Sequence, residues 1–165
     1  MKKLIIIIVT LTVLITNTTN EIPKEAIRFR VIANSNEEKD QLIKRKIVNN
    51  LSTSIKKLNN IENIEEARKT IKKELPLYEE IVEKTLKKED YSKSFNINYG
   101  KNYFPEKNYN NKTYQEGEYE SLVITLGEGL GDNFWCVLFP PLCFVEEEKT
   151  EYKSFIKEMF NKIFK

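Results

Sequence analysis

Ala26-Ile27-Arg28-Phe29-Arg30-Val31-Ile32-Ala33 runs directly into Asn34-Ser35-Asn36, and the reading of this stretch decides how the flanking chain is organised. Ile27, Phe29 and Val31 fall on one face and Arg28, Arg30 and Ile32 on the other, which is the period of two of a strand. The polar triplet stops that strand. Ser35, with Glu38 three residues on, fits a capping box that opens a helix. The helix is expected to reach about residue 58, because Ile43, Ile47, Leu51, Ile55 and Leu58 recur at helical spacing as one apolar stripe, with lysines opposite.

Further along, Ile61, Ile64, Ala67, Ile71 and Leu75 mark a second helical stretch that ends or kinks at Pro76. The segment carrying Tyr78, Ile81, Val82 and Thr85 is then either a new helix or a bent continuation. From Lys93 the period returns to two: Phe95, Ile97 and Tyr99 alternate with Ser94, Asn96 and Asn98, and later Leu122, Ile124 and Leu126 alternate with Ser121, Val123 and Thr125. The polar, tyrosine-rich stretch Tyr103 to Tyr114, centred on Asn110 and Asn111, reads as a hairpin or an extended loop. The last residues, with Tyr152, Phe155, Ile156, Met159, Phe160 and Ile163 on one side, read as a closing helix. This order predicts an α+β domain, with helices packed on a small, mostly antiparallel sheet.

The N-terminus has a different character. Lys2 and Lys3 precede an apolar run from Leu4 to Ile15, the basic and apolar regions of a secretory signal. The run falls short of the ~20 residues that cross a bilayer core, which favours a cleaved signal. Threonines and asparagines fill Thr16 to Asn20 where small residues are usual, so an uncleaved signal anchor stays open. Residues 1–19 are therefore a signal peptide or signal anchor, and 20–165 suit a single domain, long enough to bury one core.

Lys2 and Lys3 are the only charges in residues 1–19, so the full chain's 27 basic and 25 acidic groups become a balanced set once that segment is removed. A neutral domain lacks the basic excess that nucleic acid requires. The chain has no histidine. Ser-His-Asp, Cys-His and histidine-zinc sites are thereby excluded, leaving carboxylate, lysine or tyrosine chemistry to any enzyme reading. No cofactor, metal or small-molecule substrate is indicated.

The densest segment is Gly127-Glu128-Gly129-Leu130-Gly131-Asp132-Asn133-Phe134-Trp135-Cys136-Val137-Leu138-Phe139-Pro140-Pro141-Leu142-Cys143-Phe144-Val145. A phosphate cradle is disfavoured, because no P-loop lysine follows the glycines and no helix opens there to hold an anion. Cys136 and Cys143 are the two cysteines of an exported chain, and a disulfide between them is predicted, two buried free thiols being the alternative. Such a ring would display Val137, Leu138 and Phe139 at its tip, with Phe134 and Trp135 at its base, as rigid anchors for a protein partner; membership of the core is the alternative for each. The acids Glu116, Glu118, Glu120, Glu128 and Asp132 gather around the last long strand and the glycine turn. They allow a rival reading as a carboxylate-based cell wall hydrolase, set against a solvated strand edge.

Four segments resemble a known family: residues 26–35, Gly100-Lys101-Asn102-Tyr103-Phe104-Pro105, Gly117-Glu118-Tyr119-Glu120-Ser121-Leu122, and 127–144. They are similar to the stage II sporulation protein R family, over nearly the whole chain after the signal. Two positions depart from it: Arg30 stands where the family usually has histidine, and Phe134 where a second tryptophan is common. The resemblance implies a signalling protein of endospore formation, secreted from the forespore into the intermembrane space. Its implied partner is a membrane-embedded aspartic protease of the mother cell membrane that processes the sigma-E precursor. On that reading the chain is no enzyme, and Phe134, Trp135, Val137, Leu138 and Phe139 make the contact.

Overall fold

A computed structural model describes residues 25–109 and 112–144. The expected signal segment and closing helix lie outside these described residues.

The strand at the origin of the reading is β1, Ile27–Ile32. Two helices follow, α1, Glu38–Lys56, and α2, Ile64–Lys88, joined by a 3-10 turn at Lys57–Asn60. Next come β2, Phe95–Phe104, a small hairpin of β3, Lys107–Tyr109, and β4, Lys112–Tyr114, then β5, Gly117–Leu126, and β6, Asn133–Phe139. The main sheet has four strands in the order β2-β5-β1-β6, while β3 and β4 form a separate two-stranded sheet. β1 runs parallel to β5 and antiparallel to β6, and β2 runs antiparallel to β5. The result is the expected α+β domain with a mostly antiparallel sheet.

Alternation sorts each strand's side chains between two faces. Ile27, Phe29 and Val31 of β1 join Leu122, Ile124 and Leu126 of β5 in the core, packed with Ile43, Ile47, Leu51 and Ile55 of α1 and Ala67, Ile71, Tyr78, Val82 and Leu86 of α2. Each fully buried aliphatic side chain among them stabilises by about 1.5–3 kcal/mol relative to exposure. Pro76 lies inside α2 without ending it, which makes the second helix one continuous element. Both Pro76 and Lys72, whose carbonyl loses its helical donor, are exposed, which places the interruption on the solvent side of the helix.

Two details differ from the expectation. The capping box at Ser35 does not form: Glu37 occupies the N-cap with no side-chain cap, while the Ser35 hydroxyl accepts from the Glu37 N–H at 3.1 Å and donates to Asp40 at 2.7 Å. A side-chain cap does occur on α2, where the Asn63 side chain accepts from the Glu66 N–H at 2.9 Å. The second difference is that residues 133–139 are a strand and not the base and tip of a displayed ring. β6 pairs with β1 and is packed on both faces: Cys136 and Leu138 lie in the main core, with Phe134 packed against it, and Val137 belongs to a second cluster with Ala26 and Tyr114. A strand packed on both faces loses its polar alternation and reads as a continuous apolar run.

Candidate functional site

Two features converge at β1, one at its C-terminal end and one on the face away from the helices. At the end, the glycine turn after β5 is strapped to the Asn34–Asn36 loop. The Asn34 side chain accepts from the Glu128 N–H at 3.0 Å, its carbonyl accepts from the Leu130 N–H at 3.0 Å, and Asn36 accepts from the Asp132 N–H at 2.6 Å. Glycine is required where this approach is closest. A Cβ on Gly127, whose φ is +53°, would sit 2.1 Å from Asn34 Oδ1, and one on Gly131 would sit 2.2 Å from the Ser35 carbonyl oxygen. Between these contacts Leu130 is held out into solvent at 80% exposure.

Asp40 anchors the strap from α1. Its carboxylate accepts from Tyr91 at 2.6 Å and from Asn34 and Ser35 at 2.7 Å each, while it is only 5% exposed. Burial alone would raise its pKa, but the bonds from Tyr91, Ser35 and Asn34 outweigh burial and hold it below the ordinary 3.8. Burial, with the bond to Asp40 second, pushes the Tyr91 phenol well above its ordinary value. Lys44 donates to the Asp132 carbonyl at 2.7 Å, tying the far side of the turn to the same helix.

On the outer face, Arg28 is completely buried in an aromatic box. Its guanidinium carbon lies 4.3 Å from the ring centre of Phe104, 4.8 Å from Tyr119, 5.4 Å from Tyr114 and 6.0 Å from Tyr109. The hairpin supplies Tyr109 and Tyr114, whose rings meet edge to face at 5.3 Å. Arg30, two residues on, lies 5.0 Å from Phe104 and 5.2 Å from Trp135, and Lys107 lies 5.1 Å from the other aromatic wall, the Trp135 ring. Burial, and then the charge of Arg28, lower the Arg30 pKa. Desolvated cation–π contacts contribute roughly 2 kcal/mol each, against the several kcal/mol that burying an unpaired ion costs. Burial also pushes the Tyr114 phenol up to about 12.

The residues expected to touch a partner are split by this arrangement. Trp135 is part-exposed on the outer face and meets Phe104 edge to face at 5.4 Å. Phe134 points to the opposite face, edge-on to Phe29 at 5.9 Å and stacked with Phe144 at 6.2 Å; Phe139 is partly buried against the same core. Cys136 and Cys143 are joined as expected, with Cα atoms 5.7 Å apart. The display of Val137 and Leu138 at a ring tip is corrected: they are 0% and 1% exposed, because they belong to β6 and the ring closes behind them. Sequence reading passed over Leu130, although glycines on both sides signal a tight, exposed turn. It also passed over Asp40, whose partners are scattered along the chain and leave no local pattern.

Two of the acids near the last long strand have partners of their own. Glu120 accepts from Arg68 Nε at 2.7 Å through one oxygen and from Tyr99 at 2.6 Å through the other, so one oxygen fastens α2 to the sheet and the other ties β2 to β5. Glu116 accepts from Tyr103 at 3.0 Å, and Glu118 and Glu128 are exposed.

Comparison with known proteins bears on the whole arrangement. A family model described as Stage II sporulation protein R (spore_II_R) matches residues 23–149, which takes in every described element. The protein named "Stage II sporulation protein R" of Bacillus subtilis (strain 168) is 44% identical over 131 residues, covering 79% of this chain and 58% of that relative. The chain thus spans less than two thirds of that relative's length. No solved structure matches the chain. With the glycine strap, β1 and the cysteine ring all inside the matched span, the chain belongs to the stage II sporulation protein R family.

Proposed function

We propose that this chain is an exported signalling protein of endospore formation. It is released from the forespore into the intermembrane space and activates a membrane-embedded aspartic protease, which removes the inhibitory pro-sequence of the sigma-E precursor. Family membership across residues 23–149 is the observation that carries the reading. The signal-like residues 1–15 fit export, and the use of Glu120 as a structural acceptor supports an activator over a hydrolase.

The contact surface is the exposed side of Trp135 together with Leu130, both mounted on elements that cannot shift without breaking the strap or the β1–β6 pairing. Rigid apolar anchors lose little entropy on docking. An activator shifts its target only through differential affinity for the active arrangement, and a ~1000-fold preference corresponds to ~4 kcal/mol. Co-expression of chain, protease and precursor in a non-sporulating host tests the reading on a gel: precursor shortening that requires all three is expected, and an unshortened precursor with all three present overturns it. Trp135→Ala is expected to abolish shortening while the protein stays folded and exported, and full shortening by that variant refutes the assigned surface.

A further inference from the structure

Arg28 and Arg30 are neighbours on one face of β1, and each has a buried nitrogen without an acceptor. Arg28 is 0% exposed, yet its Nε and Nη1 lack any acceptor, and its Nη2 reaches the Tyr109 hydroxyl only at 3.5 Å. Arg30 Nε is buried and lacks an acceptor as well. Both guanidinium groups lie within 5.0 Å of the centre of the Phe104 ring, and Lys107 adds a third cation over Trp135. Among the described residues no acid pairs with either arginine of β1. Arg28 is wholly desolvated and Arg30 partly so, and two like charges side by side repel each other, a combination that an incoming anion relieves.

We propose that Arg28 and Arg30 form a binding site for a carboxylate carried by an acidic residue of a partner protein. A carboxylate supplies the acceptors that these buried nitrogens lack, and charge-assisted bonds of this kind are the strong ones in a water-poor site. The partly exposed Trp135, backed by the buried Phe104 ring, presents flat apolar surface to the peptide that carries the acid. Access lies on the side of the partly exposed Arg30 and Trp135. The hairpin that closes the box is a two-stranded sheet of its own, so displacing it breaks no ladder of the four-stranded sheet. The site stands on these contacts alone and holds whichever protein the chain activates.

The test follows the arginine Nε–H resonances of the purified chain by NMR. The peptide acetyl-Gly-Glu-Gly-amide, its Gln counterpart, sodium acetate and inorganic phosphate are titrated at matched ionic strength. The resonances of Arg28 and Arg30 are expected to move saturably with the Glu peptide and to stay still with the Gln peptide. Because Arg28→Lys is liable to unfold the box, the decisive variant is the partly exposed Arg30→Gln, expected to weaken the Glu peptide about tenfold through loss of one charge-assisted bond. Saturation by acetate as tight as by the peptide overturns the proposal in favour of a free small carboxylate, and saturation by phosphate alone overturns it in favour of a phosphoryl ligand. Stillness with every probe also overturns it, leaving Arg28 a cation held by rings or by an acid of its own chain.

Discussion

Replacing Asp40 with alanine tests the claim that one buried carboxylate holds the glycine turn in place. The change removes the acceptor for Tyr91 at 2.6 Å and for Asn34 and Ser35 at 2.7 Å. Each hydrogen bond to a charged group contributes about 1.5–3 kcal/mol, but the three losses differ. Asn34 and Ser35 sit in a part-exposed loop and recover water, whereas Tyr91 is 8% exposed and its hydroxyl is stranded. The expected cost is therefore about 3 kcal/mol, well below the simple sum. In urea, followed by circular dichroism, that is a midpoint about 1.5–2 M lower at an unchanged slope. Tyr91→Phe alone removes only the donor and should cost about 1–1.5 kcal/mol, and the double variant should show coupling of about 1–2 kcal/mol.

The pH dependence has a fixed sign. Asp40 titrates below its ordinary 3.8 in the folded protein, so its contribution is complete above that value and disappears as pH falls through the lower, folded pKa. Asp40→Ala should consequently narrow its gap to the parent protein in acid below about pH 4. Amide exchange gives the local readout, since the Glu128 and Asp132 N–H groups donate to Asn34 and Asn36 and should lose protection first. An unchanged urea midpoint for Asp40→Ala, or a gap that widens in acid, refutes the reasoning.

Opening the Cys136–Cys143 ring by Cys143→Ser should cost roughly 2–3 kcal/mol in urea, and the unreduced parent should gain no mass with an alkylating agent. Leu138→Ala, at a position 1% exposed, should cost about 2–4 kcal/mol, whereas Leu130→Ser, at 80% exposure, should stay within about 0.5 kcal/mol by the same denaturation assay. Spectrophotometric titration should find the Tyr114 phenol ionising near 12 and well after the exposed tyrosines, and ionisation near 10 would contradict the closed box.

What the sequence made legible follows the reach of its periodic patterns. β1 and the stripe of α1 are local repeats of two and of about 3.6, so their residues and their buried faces agree with the structure. Pro76 left two outcomes open because the local rule knows only the missing N–H; an interruption on the solvent side of the helix is a tertiary fact. β6 was hidden because burial on both faces erases alternation, and that same burial makes Val137 and Leu138 core instead of contact. Ser35 shows the competition directly. Its hydroxyl serves Asp40 and the Glu37 N–H, which removes it from the cap that its spacing to Glu38 indicated.

β1 is the piece through which these observations connect. It lies between β5 and β6, with ladders on both edges, so neither neighbour can slip without moving it. Its inward face carries Phe29 and Val31 into the helical core, and its outward face carries two arginines that a purely structural strand would not need. At Arg30, though not at the buried Arg28, this division separates stability from recognition by side-chain parity. Substitutions at Phe29 or Val31 should lower stability and, through it, every function together, whereas Arg30→Gln should weaken anion binding with little change in the urea midpoint, because that side chain is partly solvated. A protein whose core and recognition groups alternate along one strand presents its binding groups on the most constrained backbone it has. That placement favours affinity gained from preorganisation over affinity gained from extra contacts.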